Sequence, residues 1–260
     1  MMEIRDTPYY VISLRGPLPS ASAAALRGEG VVGEPYFVLD LTPWDIVPEE
    51  NWAWPEFDLG VITSPAAASL VVGRFESLLH GYKWFAPGQG TAAVLRALVS
   101  VEAPMVSQDS EGLLALPALQ SEAVQGRRVA VFTAPGGRGL IPRVLRERGA
   151  EVAEVFVYRR VEVAPDPAVR ERWASLRAHS GARGWVWVTS AAAYRALRAQ
   201  LSEPERLALS GLGHVVSSER IGAVVGSLGA AEIVVAAGPS ELDLWDALAN
   251  AGMNGGCVGR

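Results

Sequence analysis

The chain contains little cysteine, little histidine and no excess of positive charge, and each shortage argues against a class of function. The single cysteine, Cys257, excludes a disulfide framework and argues against a thiolate metal site. The histidines, His80, His179 and His214, do not have the spacing of zinc ligands. Lys and Arg total 23 against 28 Asp and Glu, a net charge of −5, which argues against nucleic acid as a partner.

Long hydrophobic runs are also missing. No segment approaches the roughly 18 uninterrupted apolar residues that a membrane span needs. The first residues lack the basic and apolar parts of a signal peptide, so we expect a cytoplasmic protein with no membrane partner. Half of the 260 residues are hydrophobic, enough for one large domain or two of ordinary size.

The stretch from Arg127 to Arg160 predicts a strand, a glycine-rich turn, a helix and a second strand. Val129–Phe132 has the β-branched and aromatic composition of a buried strand. Its turn, TAPGGRG, contains Gly136 and Gly137 and leaves backbone N–H groups at the start of the next helix. A tight turn and a ligand-binding loop are equally good interpretations of this motif. The second strand ends at Tyr158. Two interpretations of this tyrosine stay open: a ring packed in the core, or a hydroxyl that faces a ligand.

The same order of strand, hydroxyl-bearing turn and helix recurs in both halves of the chain. Thr63-Ser64 corresponds to Thr189-Ser190, and Gly90-Thr91 corresponds to Ser217-Ser218. This repetition predicts two α/β domains with mostly parallel sheets, one discontinuous over residues 1–36 and 162–260, the other over residues 37–161. A further helix is predicted within Ser20–Leu26.

The turns of such domains follow the carboxyl ends of the strands, where ligands bind in doubly wound sheets. If the domains face each other, the turns meet at one cleft between them. Any single Ser or Thr at these positions is more often only a helix cap. The chain also has no Walker A loop, no GxGxxG pattern and no GxSxG elbow. What remains is a site of hydroxyls, backbone donors, arginines and one tyrosine, which suits a polyanion.

These segments together resemble the uroporphyrinogen-III synthase family. The resemblance is carried by VISLRGP, FDLGVITSPAAA, WFAPGQGTA, the block ending in FVYRR, WVWVTSAAAYRAL and HVVSSERIGAVVGSLGA, in that order. It implies two flavodoxin-like domains joined by a two-stranded β ladder, with the active site in the cleft. It also implies a lyase that needs no cofactor or metal and cyclises the linear tetrapyrrole hydroxymethylbilane to uroporphyrinogen III, inverting ring D and releasing water.

The resemblance assigns roles by position. Tyr158 matches the tyrosine proposed to assist departure of the hydroxyl group, and a monomer is implied, with transient contact to the preceding pathway enzyme left open. Two positions depart from the family pattern: Ser217-Ser218 stands where threonines are common, and the basic residue often seen after the proline is missing after Pro65. A non-enzymatic or degenerate clamp for an anionic metabolite is the alternative. The expected substrate-binding residues are Arg15, Ser64, Thr91, Gly136, Gly137, Arg138, Ser190 and Ser218.

Overall fold

The computed structural model describes residues 9–15, 36–179 and 182–253, and these residues form two compact units. Unit 1 contains the described residues up to Asp45 and from Glu162 onward, and unit 2 is Ile46–Val161. The strands are β1 (Tyr9–Ser13), β2 (Tyr36–Asp40), β3 (Trp44–Pro48), β4 (Leu59–Ile62), β5 (Lys83–Phe85), β6 (Val101–Glu102), β7 (Arg128–Thr133), β8 (Glu151–Phe156), β9 (Tyr158–Glu162), β10 (Arg183–Val188), β11 (Gly213–Val216) and β12 (Glu232–Val235).

The helices follow the strands, as expected for an α/β fold. A 3-10 turn covers Glu76–Leu78 and another covers Pro117–Leu119, and a π-helical turn, Ala249–Met253, ends the described chain. The α-helices are α1 (Pro65–Phe75), α2 (Gln89–Arg96), α3 (Ser110–Leu114), α4 (Ser121–Val124), α5 (Leu140–Glu147), α6 (Pro167–Ala178), α7 (Ala191–Gln200), α8 (Glu203–Ser210), α9 (Glu219–Ser227) and α10 (Glu241–Leu248).

Each unit contains a parallel five-stranded sheet, which confirms the predicted class of two mostly parallel α/β domains. The sheet of unit 1 has the order β12-β11-β10-β1-β2, the flavodoxin-like order when its strands are numbered along the chain. The sheet of unit 2 has the order β6-β5-β4-β7-β8. It takes the same arrangement if β7 and β8 are counted first, so the two sheets are related by a circular shift of the chain.

Strand side chains alternate between two core clusters in each unit, because successive residues of a strand point to opposite faces. In unit 1, Ile12 packs with Trp173 and Tyr194, whereas Val11 packs with Trp187 and Trp245 on the other face. In unit 2, one face of the sheet carries Ile62, Ala130 and Phe132, and the opposite face carries Leu59, Val61, Val129 and Val131.

The proline-rich passage after β2 is more ordered than the sequence indicates. Trp44–Pro48 forms β3, and Trp52 and Trp54 pack into unit 2, with ring centroids 4.9 Å from Phe75 and 5.4 Å from Phe132. Large aromatic rings supply the burial that keeps this segment in place despite its prolines.

Strands β3 and β9 pair as a separate two-stranded sheet, the predicted ladder. The chain passes from unit 1 to unit 2 within β3 and returns within β9. The predicted domain boundary at residues 36/37 differs from the observed division after Asp45. The reason is β2, whose backbone pairs in parallel with β1 from Tyr36 to Asp40.

One sequence prediction, the helix within Ser20–Leu26, falls on residues outside the described ranges, as does Cys257. Within the described ranges, no helix is both long and apolar enough to span a bilayer.

Candidate functional site

A cavity of about 240 Å³ lies at the carboxyl end of the unit 2 sheet. Its walls come mainly from the turns after β4 and β7, the first residues of α5, and residues of β8 and β9. Parallel strands bring these turns together at one edge, where α/β proteins bind ligands. The described lining residues are Thr63, Ser64, Ser110, Val131, Thr133, Ala134, Pro135, Gly136, Gly137, Arg138, Gly139, Leu140, Ile141, Pro142, Glu154, Phe156, Tyr158 and Arg160.

Tyr158 is the most buried polar side chain of this cavity wall, with 2% of its surface exposed. Its hydroxyl oxygen lies 3.2 Å from Ser64 Oγ and accepts a hydrogen bond from Arg160 Nη2 at 3.1 Å. The Arg160 guanidinium carbon also lies 5.5 Å from the centre of the tyrosine ring. The ring is therefore packed in the core while its hydroxyl reaches the cavity.

Ser64 joins the cavity to the start of α1. Its Oγ accepts a hydrogen bond from Ala67 N at 3.1 Å and caps the helix, and Pro65 occupies the first turn, where a missing N–H is tolerated. The capping and functional interpretations of Ser64 are thus both compatible with the geometry, since the same oxygen lies next to Tyr158.

The TAPGGRG turn lies between β7 and α5 and forms one side of the cavity. Gly136 and Gly139 have φ angles of 77° and 61°, a left-handed conformation that favours glycine. Gly139 is the N-cap of α5 and provides no side-chain cap, so the first N–H groups of α5 have no side-chain oxygen from the N-cap. Such a helix start attracts anions.

Arg138 extends from this turn and pairs with Glu111 of α3. Its Nη1 and Nη2 donate to the two carboxylate oxygens at 2.5 and 2.9 Å. The hydrogen bonds from Arg138 to Glu111 raise the pKa of the guanidinium, so Arg138 is always cationic. A substrate carboxylate that binds Arg138 would compete with Glu111.

Thr63 and Thr133 end neighbouring strands and meet beside the turn. Their Oγ1 atoms are 2.9 Å apart, and Thr63 Oγ1 is also 3.3 Å from the carbonyl oxygen of Phe132. Both line the cavity. Neither threonine is among the substrate-binding residues expected from the sequence, although each stands at the end of a β-branched or aromatic strand, as Ser64 does.

Three expected substrate-binding residues lie in unit 1, each after a different strand of its sheet. Arg15 follows β1, is exposed, and donates from Nη1 to the carbonyl oxygen of Pro239 at 2.9 Å. Ser190 and Ser218 follow β10 and β11 and cap α7 and α9 by accepting hydrogen bonds from Ala193 N and Ile221 N. The strands are neighbours in the sheet, so these residues lie along its carboxyl edge.

Thr91 does not take the position that the sequence comparison of the two halves gives it. It lies inside α2 and is 5% exposed, whereas Gly88 is the N-cap. Gly88 has an extended backbone and begins the helix without a capping hydrogen bond from a side chain. Among the described lining residues of the unit 2 cavity, Thr91 is absent, while Ser64, Gly136, Gly137, Arg138 and Tyr158 are present.

Arg160 also lines this site, although it is not among the site residues expected from the sequence. The signal was the spacing: residues two apart on a strand point to the same face, so Arg160 shares the face of Tyr158 while Arg159 points the other way. Consistent with this, Arg159 pairs with Glu49 at 3.4 Å. No group of three or more potential metal ligands occurs in the part of the chain that is described.

Comparisons with known proteins agree on one family. A family model described as "Uroporphyrinogen-III synthase HemD" matches residues 20–246. A uroporphyrinogen-III synthase of Escherichia coli is 31% identical over 178 residues, 63% of this chain and 70% of that protein. One from Proteus mirabilis is 38% identical over 80 residues, so the match spans about two fifths of that relative, 39% of its length, and 30% of this chain.

Solved structures of uroporphyrinogen-III synthases are also similar to this chain in fold. The crystal structure of uroporphyrinogen-III synthetase from Helicobacter pylori superposes with a TM-score of 0.62, covering 94% of this chain and 99% of that one at 12% identity. At this identity the likeness concerns the fold. Together with the match over residues 20–246, it leads to one conclusion: the chain belongs to the uroporphyrinogen-III synthase family.

Proposed function

We propose that this chain is an enzyme of tetrapyrrole biosynthesis, a lyase that cyclises hydroxymethylbilane to uroporphyrinogen III without a cofactor. The observation that carries the proposal is the buried Tyr158, whose hydroxyl reaches a cavity beside Ser64. A phenol in this position can donate a proton to a departing hydroxyl group. Family membership supplies the substrate and the product.

The unit 2 cavity has groups that suit the carboxylates of such a substrate. The start of α5 offers backbone N–H groups, and the Arg138 guanidinium offers paired N–H donors that match the two oxygens of a carboxylate. Arg15, Ser190 and Ser218 offer similar groups at the carboxyl edge of the unit 1 sheet. Local donors of this kind let a chain of net charge −5 bind a polyanion.

The reaction needs a proton for the departing hydroxyl group and precise positioning of the linear chain. Tyr158 donates its proton as the hydroxymethyl C–O bond of ring A breaks, and water leaves. Ring D then attacks the resulting azafulvene to give a spiro intermediate, which fragments and closes with ring D inverted. Free hydroxymethylbilane closes without inversion, so the chain must hold the spiro-forming shape.

The test is isomer analysis in a coupled assay. The preceding enzyme makes hydroxymethylbilane from porphobilinogen, and the oxidised products are separated into type I and type III. We expect type III from the unmodified chain and, for Tyr158→Phe, a loss of about 10²-fold in rate with an unchanged circular dichroism spectrum. Tyr82→Phe makes the same chemical change elsewhere in unit 2 and should retain the full rate. Type I alone from the unmodified chain would contradict the activity and favour a non-enzymatic clamp.

A further inference from the structure

We infer that Arg160 is a positioning residue for Tyr158: it fixes the hydroxyl as a proton donor toward the cavity and stabilises the phenolate that forms. The inference rests on the proposed function and adds a residue to it. Three observations carry it: the hydrogen bond from Arg160 Nη2 to the Tyr158 hydroxyl, the contact of the guanidinium with the tyrosine ring, and the place of both residues on one cavity wall.

The direction of the hydrogen bond follows from the chemistry of the guanidinium. Arginine has five N–H donors and no acceptor, so the Tyr158 oxygen must accept from Arg160. The phenolic proton then points away from Arg160. Two directions remain for it: toward Ser64 Oγ at 3.2 Å or into the cavity.

Ser64 can act as the donor to Tyr158, which permits the second direction. Its Oγ already accepts a hydrogen bond from Ala67 N at 3.1 Å, and its own hydroxyl proton can be donated to the Tyr158 oxygen. With Arg160 and Ser64 both donating, the Tyr158 oxygen has its two acceptor positions filled. The phenolic O–H is then available to a ligand in the cavity.

The same arrangement assists the reaction as charge develops. The C–O bond of the hydroxymethyl group breaks with its electron pair on oxygen, and that oxygen takes the Tyr158 proton and leaves as water. The nitrogen lone pair of ring A forms the azafulvene, and the proton lost when the macrocycle closes returns to the phenolate. Between these steps the Tyr158 oxygen is negative, and a hydrogen bond from a cation to an anion is about twice as strong as a neutral one.

A direct role for Arg160 in binding a substrate carboxylate makes different predictions, which a double-mutant cycle separates. The variants are Arg160→Met, Tyr158→Phe and the double variant, assayed for type III formation. Methionine keeps an unbranched apolar side chain against the tyrosine ring but removes the charge and the donors. Because the Tyr158→Phe variant has no phenolic oxygen for Arg160 to act on, the effect of Arg160→Met should vanish in that background.

We expect Arg160→Met to lower kcat about tenfold, the value of one hydrogen bond involving a charged group, with KM within about twofold. In the Tyr158→Phe background the further loss should be less than about twofold. Arg159→Met is the matched control, since the preceding arginine points to the opposite face and pairs with Glu49; it should retain the rate of the unmodified chain.

An equal loss in both backgrounds, or a raised KM with unchanged kcat, would overturn the positioning role and leave the synthase proposal intact. A Tyr158→Phe variant as fast as the unmodified chain would overturn the proton-donor role of Tyr158 and with it the role of Arg160, whereas product of type I alone from the unmodified chain would overturn the proposed function itself.

Discussion

At the scale of single residues, two buried tyrosines show how their partners decide what a hydroxyl can do. Tyr194 lies 2.9 Å from His214 Nε2 in the core of unit 1. His214 Nδ1 lies 2.9 Å from the Leu212 carbonyl oxygen, which only accepts, so Nδ1 carries the proton and Nε2 accepts from Tyr194. The Tyr194 proton is thus engaged inside the protein, whereas the Tyr158 oxygen accepts from Arg160 and its own proton takes no part in that hydrogen bond.

The buried His214 makes unit 1 sensitive to acid. Burial lowers the pKa of its imidazole to about 4, from an ordinary value of 6.5. The unfolded chain therefore binds a proton between these values that the folded chain does not, so stability is full above about pH 6.5 and falls as the pH is lowered toward 4. Between pH 7.5 and pH 5 we expect unit 1 to lose about 2 kcal/mol of unfolding free energy, measured by urea denaturation.

The control variants for this loss are His214→Gln and His80→Gln. Glutamine at position 214 does not titrate, so its unfolding free energy should change much less over the same pH interval, whatever its absolute value. His80 is exposed, and its variant should keep the acid sensitivity of the unmodified chain. A steep pH dependence that survives His214→Gln would assign the sensitivity to another group.

At the scale of helices and strands, the sequence predicted the turns better than the residues that cap them. Ser64, Ser190 and Ser218 are N-caps as their positions after strands indicated. Thr91 was misplaced because Gly88, three positions earlier, begins α2 without a side chain. A local pattern of hydroxyls cannot reveal that choice, since backbone conformation alone can begin a helix.

Helices α6 and α8 are joined by a pair that should carry measurable stability. Arg170 donates from Nε and Nη2 to Glu205, and Ser202 completes a capping box with the same carboxylate. Burial opposes the charge of Glu205, but the hydrogen bonds from Arg170 and Ser202 outweigh it and lower the pKa to about 2. Glu205→Gln should therefore cost about 2 kcal/mol at pH 7, and this difference should shrink as the pH falls below about 4.5.

Glu203 of the same helix provides the comparison. It pairs with Arg206 at the surface, with 67% of its side chain exposed, so Glu203→Gln should change the unfolding free energy by less than about 1 kcal/mol. Urea denaturation at pH 7 measures both variants. Equal costs for the two would mean that the contact between α6 and α8 contributes no more than a surface pair.

At the scale of the whole molecule, the internal repeat was visible in the sequence but its circular shift was not. Thr63-Ser64 and Thr189-Ser190 do follow equivalent strands, β4 and β10, at the centres of their sheets. The shift depends on β1, which pairs with β10 far along the chain and with β2 on its other side, and no local pattern records a pairing partner. The boundary predicted after residue 36 misses β2 for the same reason, because only the pairing of β2 with β1 assigns it to unit 1.

Each unit has its own core, and this arrangement predicts where a core defect is felt. Leu145 of α5 and Leu197 of α7 are both fully buried, the first in a cluster of unit 2 and the second in a cluster of unit 1. Replacing either by alanine should cost about 2–5 kcal/mol through lost contacts and the cavity left behind. Hydrogen exchange read by peptide mass should show the cost locally.

Leu145→Ala should speed exchange in peptides from 59–156 and leave those from 183–248 unchanged, and Leu197→Ala should give the reverse pattern. The two variants act as each other's control, because they remove the same atoms from equally buried sites. Faster exchange throughout the described chain in either variant would mean that the units unfold as one cooperative body, and the separate cores would then not define separate units of stability.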